Sequence, residues 1–320
     1  MQAALAGPYG PPETIRIAEI PTPEPRAGEV LLRVVATPVT AGDARIRAGR
    51  FPPGFGLLAR LGIGMRGPRR PVLGVVCSGV VEQGGPGADG PGGLAPGDAV
   101  VGMTGARMGA HAEHLAVGAA RLVPKPAGVS HAQAAAALFG GTTALYFLRD
   151  RAGVQPGQRV LVNGASGSVG SAAVQLARFL GAEVTAVTSG RNRELVSALG
   201  ATDVIDYTAR PVAELRGDYD VVFDAVGNIT RADGPRLLTP DGALVLAVAG
   251  LAGTLRARGR VHAGAAPERP EDFALLLDLV AQGRFDPLVR TLDGLGSIPE
   301  AHRLVDSGRK VGNLVVRLES

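Results

Sequence analysis

The stretch Arg159 to Gly170 (RVLVNGASGSVG) constrains this chain more than any other. Arg159 to Asn163 reads as a strand, and Ser168 to Leu180 as a helix of apolar period ended by Gly181. Between them lies Gly164-Ala165-Ser166-Gly167-Ser168-Val169-Gly170. The early glycines permit a tight turn and let backbone N–H groups approach a pyrophosphate. The last glycine lets helix and strand pack closely, and the helix N-terminus adds partial positive charge. The spacing is G-x-x-G-x-x-G rather than G-x-G-x-x-G, so the strand–turn–helix setting carries the reading. The alternative is an ordinary glycine-rich loop.

The residues beyond Gly181 support a dinucleotide site. Glu183 to Thr188 (EVTAVT) reads as the next strand, Asn192 to Leu199 as a helix ended by Gly200, and Asp203 to Tyr207, Asp220 to Val226 and Ala243 to Ala249 as further strands. Apolar strands alternating with helices predict a doubly wound parallel sheet, hence an α/β fold. The second strand ends Val187-Thr188-Ser189-Gly190-Arg191-Asn192-Arg193, where a site for an unphosphorylated ribose usually places a carboxylate. Hydroxyls and guanidinium groups stand there instead, which suits a 2′-phosphate. NADPH is the cofactor this predicts; the alternative is that Arg191 and Arg193 merely decorate a helix start.

The first hundred or so residues obey another grammar. Glu29 to Ala36 and Pro71 to Glu82 are Val- and Leu-rich, and Pro96-Gly97-Asp98 turns into Ala99 to Gly102, which predicts a small β-barrel. Gly84 to Gly93 reads as a loop. Ser130 is a candidate N-cap for a helix running to Asp150. Beyond about residue 265 come helices at Glu271 to Gln282 and Pro299 to Asp306, then a strand at Asn313 to Leu318.

Composition bounds the rest. A chain of 320 residues, 46% of them hydrophobic, is long enough for two cores. The lone Cys77 excludes an internal disulfide or a cysteine-built zinc lobe, and fits a reducing, cytoplasmic setting. The N-terminus lacks a charged n-region and an apolar h-region, so no signal peptide is expected. No apolar run approaches the roughly 20 residues of a membrane span, and no membrane partner is expected. The basic pI comes from arginine, with short clusters at Arg66, Arg69 and Arg70 and at Arg256, Arg258 and Arg260; no nucleic-acid partner is expected.

The sequence resembles a medium-chain dehydrogenase/reductase, in the zinc-independent quinone oxidoreductase branch that includes zeta-crystallin. The landmarks include VTAGDARIRAG (Val39 to Gly49), PVLGVVCSGVVE (Pro71 to Glu82), PGDAVVG (Pro96 to Gly102), GGTTALYFL (Gly140 to Leu148), VIDY (Val204 to Tyr207), FDAVG (Phe223 to Gly227) and GNLVV (Gly312 to Val316). The resemblance implies a GroES-like catalytic domain over 1–125, completed by 265–320, and a Rossmann nucleotide-binding domain over 126–264, with the active site between. It places Thr143 near the nicotinamide, Ser189, Arg191, Asn192 and Tyr207 near the 2′-phosphate, and Val226, Gly227, Ala249 and Gly250 along the cofactor. Asn313 matches a backbone contact at the nicotinamide end. A homodimer is the family's usual state.

Zinc-dependent relatives carry a cysteine where this chain has Thr40, and Gly-His-Glu where it has Gly74-Val75-Val76. Valine cannot ligate a metal, so none is expected. Without a Lewis acid, hydride delivery to an enone, enal or quinone is the predicted chemistry, on an apolar acceptor. Candidate catalytic residues are Thr40, Asp43, Arg45 and Tyr146. Asp43 is as well read as a loop anchor, and Tyr146 as a core residue. His111 and His114, flanking Glu113, are a candidate proton relay. Phe51 to Met65 is either a barrel loop with a short buried helix or a substrate-facing lid. Two alternatives stay open: a pathway-specific enoyl or ketone reductase or tailoring enzyme, and a non-catalytic NADPH-binding sensor or RNA binder.

Overall fold

The computed structural model describes residues 1–87 and 93–318, so residues 88–92 of the loop expected over Gly84 to Gly93 lie outside the described residues. Gln2–Ala6 (β1) and Ile15–Glu19 (β2) pair antiparallel. Glu29–Pro38 (β3) leads through two helices, Ala41–Ala48 (α1) and Gly56–Ile63 (α2), into Val76–Gly84 (β4). Ala99–Met103 (β5), His114–Gly118 (β6) and Leu122–Pro124 (β7) come next. β3 pairs antiparallel with both β4 and β6, and β4 continues through β5 to β7. The strand expected from Pro71 starts only at Val76, because Gly74 takes φ +91° and any side chain there would strike His111.

Ser130 caps His131–Leu145 (α3) as expected, in a reciprocal capping box with Gln133. The helix then widens into a π-helical turn, Tyr146–Arg151. Its run of alanine and glycine reflects burial on several sides: a side chain at Gly140 would meet the Ser168 backbone, and one at Gly141 would meet Leu276.

Arg159–Asn163 (β8), Ser168–Phe179 (α4), Glu183–Thr188 (β9), Arg193–Ala198 (α5) and Asp203–Asp206 (β10) form the first half of the second sheet. Tyr219–Asp224 (β11), Gly234–Leu237 (α6), Leu238–Leu246 (β12), Leu251–Leu255 (α7) and Val261–Ala263 (β13) form the other half. All the pairings are parallel, in the order β10-β9-β8-β11-β12-β13. This is the doubly wound order, whose direction reverses between β8 and β11; ligands bind in the crevice at that reversal, beyond the strands' carboxyl ends. The fully buried Leu161, Val162, Phe223 and Val245 explain why these strands read as continuous apolar runs.

Pro270–Ala281 (α8), Val289–Asp293 (β14), Ile298–Asp306 (α9) and Asn313–Arg317 (β15) close the chain. β15 returns to the first sheet antiparallel to β3, with Val316 opposite Thr37. The fold is therefore α/β, a Rossmann-type parallel sheet joined to a GroES-like barrel.

Beneath α9 the buried rings of His302 and His111 meet edge to face, centroids 6.0 Å apart. Burial, reinforced by the charges of His111 and Arg47, pushes the His302 imidazole down to about 2. In acid the unfolded chain protonates this histidine below about pH 6.5 and the native state does not, so stability falls as pH drops through 6.5. The expected slope from this group is about 1.4 kcal/mol per pH unit. Urea midpoints from pH 8 to pH 4 check it: His302→Leu is expected to show a shallower decline, and an unchanged one removes His302 as the cause.

Candidate active site

Gly164 takes φ +81°, and a side chain there would press on Val226 at 2.6 Å. The amides of Gly164 and Ala165 both donate to the Val187 carbonyl at 3.1 Å, fixing the turn to β9. A side chain on Gly170 would strike the Gly164 carbonyl, so only glycine permits this approach of helix to strand. Gly167 is the N-cap of α4 and offers no side-chain cap, which leaves the first amides of the helix for a ligand oxygen. That bare cradle fits a pyrophosphate.

The C-terminal strand clamps the same turn. The Gly312 amide donates to the Ser166 carbonyl at 2.9 Å, and the Ser168 hydroxyl donates to the Asn313 side chain at 2.5 Å. The Asn313 amide also holds the Pro287 carbonyl at 2.6 Å, so its side chain serves the junction between the two sheets. Lys310, which stands in no recognisable motif, donates to the Gly312 carbonyl at 2.7 Å; burial lowers its ammonium to about 8.

At the end of β9, Asn192 donates to Ser166 at 3.0 Å and to Ser189 at 3.3 Å, tying the glycine turn to the next loop. Arg191 is exposed, and Tyr207 is exposed with its amide on the Thr188 carbonyl. One neighbour escapes a reading of the sequence: Asp206, at the end of β10, lies opposite Thr188 and against Gly190. Its carboxylate accepts from the Thr208 hydroxyl and amide, which hold it below the usual carboxylate range. The strand end itself carries no carboxylate, but the adjacent parallel strand brings one close. Only sheet pairing reveals that.

On the other side of the reversal, the buried Asp224 accepts from Asn163 at 2.8 Å and from the amides of Val226, Gly227 and Ile229. This carboxylate, also silent in the sequence, sets Val226 and Gly227 at the crevice. They line a cleft of about 550 Å³ with Arg45, Phe51, Ala249 and Gly250, a size suited to a small molecule. Arg45 is half-buried, and its guanidinium has no ion pair or hydrogen bond among the described residues; burial first, then the charge of Arg50, lowers it from its ordinary value. The carboxylate on the cleft wall, Asp306, is engaged by Arg47 and Arg50.

The other sequence candidates are held in the framework. Thr40 caps α1: its hydroxyl donates to Asp43 at 2.6 Å and accepts from the Asp43 amide at 3.2 Å. Asp43 also accepts from the amides of Thr40 and Gly74, so the structure places it as the loop's anchor. Thr143 returns its hydroxyl to the Phe139 carbonyl at 2.8 Å. Tyr146 packs on Phe147 with Arg269 over its ring, at the core of the parallel sheet and apart from the cleft lining. His111 and His114 diverge: His111 is buried beside Pro38 and His302, while His114 pairs with Glu82. In the segment Phe51 to Met65, Phe51 to Pro53 face the cleft, but α2 turns its leucines outward, so it is not a buried helix. Val76 is buried in the barrel, and among the described residues no three His, Cys, Asp or Glu side chains gather as a metal site.

Residues 26–127 match the family model described as alcohol dehydrogenase GroES-like domain, and residues 199–316 the one described as zinc-binding dehydrogenase. A quinone oxidoreductase of Coxiella burnetii superposes with a TM-score of 0.86 at 26% identity, over 99% of each chain. The chain belongs to the medium-chain dehydrogenase/reductase superfamily. Within it, this dehydrogenase/reductase falls in the quinone oxidoreductase-like branch: it is 27% identical over 321 residues to a chloroplastic quinone oxidoreductase of Triphysaria versicolor, covering 94% of this chain and 93% of that one. It is also 33% identical over 306 residues to an erythronolide synthase of Saccharopolyspora erythraea, covering 91% of this chain and 8% of that protein. The chain spans 6% to 13% of the length of four polyketide synthases to which it is similar.

Proposed function

We propose that the protein is an NADPH-dependent, zinc-independent oxidoreductase that reduces an apolar enone, enal or quinone. The observation that carries this reading is the uncapped amide cradle at Gly167, with Ser189 and Arg191 one strand to one side and the Arg45 cleft to the other. A dinucleotide laid across the reversal puts its pyrophosphate on the cradle, its 2′-phosphate by Arg191 and its nicotinamide end toward Val226 and Gly250. When bound, the reduced nicotinamide supplies a hydride. The chain's own share is positioning and charge. Asp224 holds one wall, Asp43 and Thr40 hold the α1 loop, and Phe51 to Pro53 shield the cleft mouth from water. Arg45 places positive charge where the acceptor oxygen becomes negative, work a metal would do where ligands exist. Thr40, Val75 and Val76 stand where zinc-dependent relatives have ligands, which supports the metal-free reading.

Asp206 favours a second reading, with NADH as coenzyme, since a carboxylate suits a free ribose hydroxyl. Arg191→Gln separates the two. A charge-assisted contact to a phosphate contributes about 1.5–3 kcal/mol, so kcat/KM for NADPH is expected to fall roughly 10- to 100-fold with NADH little changed. Equal or better turnover with NADH in the unaltered protein would overturn the assignment. The likeness to polyketide synthases supports a pathway-specific acceptor. A screen of simple quinones and enones against α,β-unsaturated thioesters, monitored by loss of reduced-nicotinamide absorbance, distinguishes that from a general reductase.

A further inference from the structure

The leucines of α2 face away from the body of the protein. Leu57 is 68% exposed, Leu58 57%, Leu61 54% and the following Met65 52%. At 100° per residue the three leucines span about 100° of the helix surface, while Ala59 and Ile63 turn inward. A helix ordinarily buries its apolar stripe, so this one presents an apolar strip that needs another cover.

Charge identifies the cover. Between Asp43 and Glu82 the sequence has no acidic residue and seven arginines, at 45, 47, 50, 60, 66, 69 and 70. Arg66, Arg69 and Arg70 follow the strip in the chain, are exposed, and form no ion pair among the described residues; Arg69 and Arg70 line a neighbouring groove with Arg26, Glu24 and Glu29, where Arg70 donates to the Arg107 carbonyl at 3.3 Å. Arg60 stacks over Tyr9 at 5.4 Å, which with the Tyr9 hydroxyl on the Gly64 carbonyl fastens the helix to the barrel. The chain leading into α2 docks on α7, the Leu251 amide donating to the Pro53 carbonyl at 2.8 Å. From there Leu255, 67% exposed, leads to the exposed Arg256 and Arg258.

We propose that α2, with its flanking arginines, is an interfacial anchor that seats the protein on an anionic lipid surface. Leucines enter the acyl boundary and guanidinium groups meet phosphate headgroups, the pattern of a helix lying in a membrane plane. At eight residues α2 lies on the surface and does not span. A second copy fits poorly, because a two-fold contact through this face sets arginine against arginine. The strip is not the inner face of a lid either, since Phe51 to Pro53 turn to the cleft and the leucines turn away. This proposal departs from the expectation from the sequence, which included no membrane partner.

The test is co-sedimentation of the full chain with vesicles of equal phosphatidylglycerol and phosphatidylcholine, against vesicles of phosphatidylcholine alone. Binding is expected to the anionic vesicles, with release in about 0.5 M salt. The triple variants Leu57→Ser/Leu58→Ser/Leu61→Ser and Arg66→Gln/Arg69→Gln/Arg70→Gln are each expected to lower the partition coefficient at least about tenfold. All six side chains are exposed, so unchanged thermal unfolding is expected of both variants and checks that they fold. No sedimentation of the unaltered protein, or equal sedimentation of the variants, overturns the proposal. So does a leucine variant that changes the oligomeric state while vesicles capture neither form, which assigns the strip to a second copy.

Discussion

Arg45→Met is expected to lower kcat/KM for the acceptor by about 100-fold while leaving the coenzyme dissociation constant within about twofold. The guanidinium lines the cleft with Val226, Gly227 and Gly250, at the end of the sheet away from Arg191. Among the described residues no carboxylate answers it, because Asp306 is taken by Arg47 and Arg50. A charge so placed and partly desolvated stabilises an oxygen that gains negative charge more than it stabilises the neutral acceptor. The loss should therefore fall on kcat rather than on KM. Arg45→Lys is expected to recover part of the rate, since it restores charge without the planar fork. Coenzyme titration by nicotinamide fluorescence and steady-state kinetics on one enone measure both halves. A change below about threefold in kcat would show that the charge does not act on the reacting oxygen.

Asp306→Ala is expected to destabilise the protein by about 3 kcal/mol. Arg47 is 1% exposed, and among the described residues its guanidinium reaches only the Asp306 carboxylate and the Gly10 carbonyl, with Nε unpartnered. Removing the carboxylate strands a buried cation, which costs more than the pair itself contributes. Arg50 shares the same carboxylate from the exposed side, where water compensates it, so its share of the loss is small. The pair also joins α1 to α9, and so ties the barrel's first helix to the returning C-terminal segment. Arg47→Met combined with Asp306→Ala should recover most of the loss, because the uncompensated charge is then gone. Urea denaturation of the single and double variants reads the cycle. A double variant no more stable than Asp306→Ala would show that packing, not charge, is what Asp306 supplies.

Much of this architecture is legible in the sequence, because the signals are local. Val160 to Asn163, the glycines at 164, 167 and 170, and the apolar period of α4 each specify their own backbone, and together they predict the turn that the structure contains. The Ser130 cap is readable for the same reason: it concerns residues three apart. Helix α1 is less so. Thr40 and Asp43 have the residue types of chemistry, and the structure gives both hydroxyl and carboxylate to capping and anchoring. A short polar side chain before a helix serves either purpose, and only its partners decide.

The sequence by itself determined the strand–turn–helix units, the doubly wound sheet they build, and the absence of ligand-type residues at Thr40, Val75 and Val76, since each depends on neighbours within a few positions. Tertiary structure alone decided what depends on distant chain. It laid Asp206 of one strand beside Gly190 of the next, gave Asp306 to Arg47 and so left Arg45 uncompensated, and turned the leucines of α2 to the outside. Hydrophobic period tells which side chains share a face. Which way that face points is settled only by what packs against it.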